Sequence, residues 1–123
     1  MREIKFRMLE QWDDAWRWQT FTLPKDLGMD NEIYLNSERY RLDTLGQFSG
    51  LKDKNGEEIW EGDIIKMLDY GGSTKYAKVI YSRASFVLED MERNDNYSIV
   101  MQDSYQMEII GNIYENPELL TSI

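Results

Sequence analysis

Cysteine and histidine are both absent from the 123 residues. Without cysteine there are no disulfides, no thiol chemistry and no zinc centre of the Cys/His kind. Without histidine the chain lacks the one side chain that titrates unperturbed near neutral pH, and with it the Ser–His–Asp and Cys–His triads. No apolar run approaches the roughly 18 residues of a membrane span. The opening "MREIKFRML" is charged where a secretory leader needs an apolar stretch. A soluble, cytoplasmic protein is therefore expected. Basic residues are also in deficit, 14 against 23 acidic ones, for a net charge of −9. Nucleic-acid binders gain affinity from a basic footprint, so a nucleic-acid partner is disfavoured.

What remains is apolar and aromatic. Hydrophobic residues make up 41% of the chain and aromatics 13%, too much for a disordered segment. The length suits one domain with its own core. The rings favour strands.

Alternation begins at once. In "EIKFRML" Ile4, Phe6 and Met8 oppose Glu3, Lys5 and Arg7, the period of a half-buried strand. On that reading Lys5 and Arg7 share a solvated face, which is also the best candidate for a basic binding patch. "AWRWQTF" alternates again, and "EQWDD" between the two has the length of a hairpin loop. A helix is the rival reading, because Trp12 and Trp16 are four apart and Asp13 could pair with Arg17. Thr22 to Glu32 reads as a loop, "EIYL" as a short strand, and "ERYRLDTLGQF" as a further alternating strand.

Turn chemistry then dominates. Asn55-Gly56 predicts a tight hairpin of type I′, which needs positive φ at both central residues. "WEGD" predicts a corner at Gly62, and Gly71-Gly72 a third turn. "IIKMLDY", "YAKVIYS", "SFVLED", "YSIVM" and "YQMEIIGNIY" read as strands. In "NPELL" Pro117 suits a first helical position and Asn116 can cap it. Many short strands with turn signals between them argue for an all-β sandwich or small barrel.

"TLGQFSGLKDKNGEEIWEGDII" and "EIIGNIYENPELL", with "MREIKFR" ahead of them, resemble the signature blocks of the YopX family of small phage and prophage proteins. They cover about 42 of the 123 residues, in the same order. The resemblance implies a β-rich fold, a phage or prophage setting in a bacterial host cytoplasm, and no catalytic residue. Within the blocks the expected structural residues are Gly50, Asn55, Gly56, Ile59, Trp60, Gly62, Asp63, Ile64, Gly111, Tyr114 and Pro117. Gly46 and Gly50 mark a bend or close packing, and Ile59 and Trp60 suggest burial on two sides. Asp63 can cap a backbone amide of its corner. Ile109, Ile110, Ile113 and Tyr114 would close the barrel.

Chemical readings of the same residues fare worse. A calcium loop through Asp53, Asn55 and Gly56 would put Leu51 and Gly62 where ligands are required, and fails. Glu61 and Asp63 would share a face in extended geometry, a conceivable acid–base pair, although a solvent-facing turn is the plainer reading. Lys52 and Lys54 lie beside glycines without the P-loop order; with Lys5 and Arg7 they form the candidate binding surface. The acidic charge itself could imitate DNA and occupy a basic groove of a host enzyme.

The expectation is a mainly β fold: one domain over residues 1–123, with an N-terminal hairpin region and loop (1–45) and a small SH3-like, partly open β-barrel (46–123), and little helix. The leading function is a non-catalytic protein-binding accessory protein with a host or phage partner. A DNA mimic and a metal-dependent carboxylate enzyme are the alternatives. No cofactor or metal is expected, and self-association through exposed β edges is plausible.

Overall fold

The computed structural model describes residues 4–22, 40–68, 72, 74–82, 84–91, 98–100 and 106–122. The expected strand "EIYL" and the loop before it lie outside these residues. The protein is mainly β, with nine strands and a single helical turn among the described residues. The chain divides into two compact units, Met1–Phe48 and Ser49–Ile123. Among the described residues no helix is long and apolar enough to cross a membrane.

The first unit is built on the hairpin β1 (Lys5–Trp12) and β2 (Ala15–Thr22), paired from Lys5↔Thr22 to Trp12↔Ala15. That register settles the contest between hairpin and helix. Asp13 and Asp14 form the two-residue turn, and Asp13 takes a positive φ of 49°. On its other side β1 pairs with β3 (Tyr40–Lys52), a strand that runs on into the second unit.

The β1–β3 ladder is broken. Arg7 faces Gly46 and Leu9 faces Arg41, so Met8 alone lies opposite the four residues 42–45. Such a bulge leaves backbone donors without their ladder partners. Thr44 fills the gap: its Oγ1 accepts from the Leu9 amide at 3.0 Å and donates to the Arg41 carbonyl. Thr44 is fully buried with Met8 and Leu9, while its neighbours Leu42 and Leu45 are turned outward.

In the second unit the end of β3 neighbours β4 (Glu58–Trp60). The main sheet is antiparallel, in the order β8 (Ser98–Val100), β7 (Ser85–Asp90), β6 (Thr74–Ser82), β5 (Asp63–Leu68), β9 (Met107–Asn112), and it curls into a half-barrel. Its core gathers Ile59, Ile65, Met67, Ala77, Val79, Phe86, Leu88 and Met107, with Leu51 and Ile109 at the margin. Each large side chain buried there contributes about 1.5–3 kcal/mol. Between Ile64↔Gly111 and Ile65↔Ile109 the extra residue Ile110 makes a second bulge, and both Ile64 and Ile65 are buried.

The loop at Asn55-Gly56 closes differently from the type I′ expectation. Only Gly56 takes positive φ (82°). The Gly56 amide donates to the Asp53 carbonyl, and the Asp53 amide to the Glu57 carbonyl. This is the longer hairpin loop that ends in a left-handed residue. The cause is Asp53, whose Oδ1 accepts from the Asn55 and Glu57 amides, both at 2.9 Å. A side chain that gathers amides on both sides of Asn55 holds it out of the left-handed region.

Asp53 also reaches across the barrel. Its Oδ2 accepts from the Ile109 amide at 3.1 Å, and the Lys54 amide donates to the Met107 carbonyl at 2.8 Å. Burial alone would raise the Asp53 carboxyl, but the amides of Ile109, Glu57 and Asn55, with Lys54 nearby, outweigh it and hold the group below its ordinary value.

At the "EGD" corner the Asp63 carboxylate accepts from the Trp60 amide at 2.7 Å. Gly62, at φ 95°, donates to Val79 and accepts from Ile113. A Cβ on Gly62 would lie 2.9 Å from the Tyr114 ring. The extended geometry that would align Glu61 and Asp63 is therefore absent.

After β9, Asn112 organises the chain. Its Oδ1 accepts from the Tyr114 and Glu115 amides, and its Nδ2 donates to Glu115. Asn116 was expected to cap a helix with its side chain, but its carboxamide oxygen turns back to the Asn112 amide. Its main-chain carbonyl instead accepts from Leu119 at the start of α1 (Leu119–Ser122). Pro117 sits two residues before that turn.

Asp53→Ala strands three amide partners and should destabilise the second unit by about 2–3 kcal/mol in urea titrations. Because the folded Asp53 pKa is lowered, its contribution is complete above the ordinary carboxylate value and lost as pH falls through the lowered one. Asp53→Asn should flatten that acid limb of the stability–pH curve. Gly62→Ala combines left-handed strain with the Tyr114 clash and should cost about 2 kcal/mol or more, against about 1 for Gly56→Ala, where the added methyl meets open space.

Candidate interaction surface

The residues that carry the family blocks are consumed by architecture. Asn55, Gly56 and Asp53 form the loop that ties β9; Gly62, Asp63 and Trp60 form the corner; Gly111 pairs with Ile64; Tyr114 packs on Gly62. Ile59 and Trp60 are buried, and Gly50 is a positive-φ residue within β3. Ile109, Ile110, Ile113 and Tyr114 are only partly buried. Among the described residues no group of three or more acidic side chains is placed to hold a metal ion.

The four candidate cations do not form one solvated patch. Arg7 is buried, with 8% of its surface exposed, and its guanidinium lies 4.0 Å from the centre of the Trp18 ring. The solvated face expected for Arg7 is thus corrected: β1 is flanked on both edges, and the Trp18 indole, diagonally across the hairpin, covers the arginine. Lys5 stacks on Phe48 at 4.6 Å. Lys54 belongs to the second unit and pairs with Glu108 at 2.6 Å, which holds the Glu108 carboxyl below its ordinary value. Lys52 is exposed.

A different surface stands out, at the end of the hairpin. Opposite residues of an antiparallel pair share a face. Leu9, Gln11, Trp16, Trp18 and Arg41 therefore lie on one face, and Glu10, Trp12, Ala15 and Arg17 on the other. Arg41 stacks on Trp16 at 5.7 Å and Arg17 on Trp12 at 5.6 Å. Each face of the hairpin end thus carries an arginine laid over a tryptophan. Cation–ring contacts occur about once per 70–80 residues; the described residues of this unit hold four, so the stacking is a feature of the unit and not background.

The same region is apolar and open. Trp12 is 43% exposed, Trp16 41%, Leu42 44% and Leu45 47%. The two leucines are exposed because the bulge expels them, and Arg41 links that bulge to Trp16. Arg41 also meets Asp43 at a long 3.4 Å. Arg17, by contrast, has no carboxylate partner, and Asp13 and Asp14 have neither a cation nor a hydrogen bond. Strained turns and bulges concentrate at binding sites, and both border this patch.

In the sequence Trp16 and Arg17 read as strand residues and Trp12 as part of the hairpin loop, whereas Trp12 ends β1. Leu42 and Leu45 carried no signal, because their exposure follows from a long-range pairing break.

Comparison with known proteins gives a family and similar solved structures. The model of the YopX protein family matches residues 7–121. No curated protein matches. The crystal structure of protein EF1440 from Enterococcus faecalis is 27% identical, with 93% of this chain and 74% of that chain covered, at a TM-score of 0.44.

The two kinds of arginine separate by stability. Arg7→Ala removes a desolvated stack and buried stem and should cost about 2 kcal/mol, whereas Arg17→Ala on the exposed stack should cost about 0.5–1. Thermal and urea melts of the two variants give the comparison.

Proposed function

Because the chain belongs to the YopX protein family, we propose that it is a non-catalytic accessory protein of a phage or prophage. It acts in the host cytoplasm by binding another protein, host or phage, through the end of its N-terminal hairpin. The observation that carries this reading is the exposed Trp12–Arg17 and Trp16–Arg41 pair of stacks beside the outward leucines. Tryptophan and arginine are the residue types that dominate binding energy at protein interfaces. Among the described residues, five of the eight large hydrophobic side chains that stand exposed lie in the hairpin unit, including Ile4. Stacking the arginines on rings fixes them before contact, which lowers the ordering cost of association.

The alternatives draw less support. A carboxylate-studded DNA mimic needs its acids segregated on one face, but the 23 acidic residues are interspersed with 14 basic ones along the chain. For an acid–base pair, the Asp63 carboxylate is engaged in its own corner.

A photo-crosslinking residue at position 16 should capture a partner in host cells, and one at position 81, on the exposed Tyr81 of the second unit, should not. Trp16→Ala should weaken the isolated complex about tenfold or more. Capture from position 81 alone would place the surface elsewhere.

A further inference from the structure

We infer that the hairpin end pairs with a second copy of itself, so that the free chain is in a monomer–dimer equilibrium. This rests on the reading of the hairpin end as a protein-binding surface and names one occupant of it.

A two-fold contact brings a surface against itself, so the patch must be self-complementary: if one residue meets a second, the second must meet the first. The hairpin end satisfies this in charge. Among the described residues Asp13 and Asp14 at the turn form no ion pair with a cation, and Arg17 behind them forms none with a carboxylate, the cross-strand Glu10 being buried. They do not neutralise one another within the chain. Overlapping two hairpin ends in opposite directions lays the acidic turn of each copy against Arg17 of the other, and both pairings form at once.

The apolar part of the patch fits the same arrangement. Trp12, on the same face as Arg17, would be covered by the overlap. The surrounding charge also permits it. The chain as a whole carries −9, of which residues 1–48 contribute only −2, with seven basic against nine acidic side chains. Two copies meeting here face less of the mutual repulsion that the net charge imposes elsewhere. At the exposures found, each tryptophan offers roughly 100 Å², so the interface is at the small end of specific contacts. Its association is therefore concentration-dependent and sensitive to salt.

Sedimentation velocity on the full chain at low salt should show the mass rising from 14.7 kDa towards twice that value with concentration. Arg17→Asp and Asp14→Arg should each weaken association about tenfold, and the double swap should restore it. Circular dichroism and melting curves confirm that the variants fold. A monomer up to the highest soluble concentration overturns the inference, as does a dimer indifferent to both reversals or a swap that fails to restore it. If the wild type is monomeric while position 16 still captures another protein, only the self-pairing falls.

Discussion

One carboxylate holds the second unit in register with itself. Asp53 accepts from amides on both sides of its own loop and from Ile109, residues that are 56 positions apart along the chain. A sheet of short strands whose last member adds next to its first has to bring distant segments into line, at a cost in chain entropy. The hydrogen bonds from Ile109 and Lys54 fix where β9 lies against the β3–β4 hairpin. Once that is set, Met107 enters the core and Gly111 comes opposite Ile64. The Gly62 corner adds a second tie, to Val79 on one side and Ile113 on the other. The two sequence blocks that carried the family resemblance are thus the two halves of one set of contacts.

That arrangement divides the labour between the units. In the second, the distinctive residues are spent on amides and close packing. In the first, arginines are laid over rings at the protein surface and leucines are expelled from a broken ladder. Arg7 and Arg17 show the contrast within one hairpin. Both lie over tryptophans, but the first is enclosed and the second stays at the surface.

Much of the fold was legible because strand signals are local. Alternation in "YAKVIYS" and the aromatic "AWRWQTF" describe their own strands, and the glycine corners describe their own turns. Errors arose where a remote or competing group intervened. The loop at Asn55-Gly56 follows the Asp53 side chain and not the dipeptide rule. Asn116 serves Asn112 in preference to the helix it precedes. Arg7 reads as a solvated strand residue until Trp18 is placed opposite its neighbour Leu9. The interaction surface was less legible still. Its tryptophans and arginines could be seen, but which of them stay open depends on a pairing between residues 35 apart, Leu9 and Thr44.

The β1–β3 bulge carries a further implication, one of parity. Four residues of β3 stand against Met8, three more than an unbroken ladder would place there. An odd surplus inverts the in–out alternation of everything beyond it. An uninterrupted ladder would have set Thr44 opposite Leu9 and turned Arg41 to the Trp12 side; the surplus brings it over Trp16 instead. Relatives whose chains differ by two residues in this stretch would keep the arginine on the same side, while a difference of one or three would send it to the reverse of the ribbon.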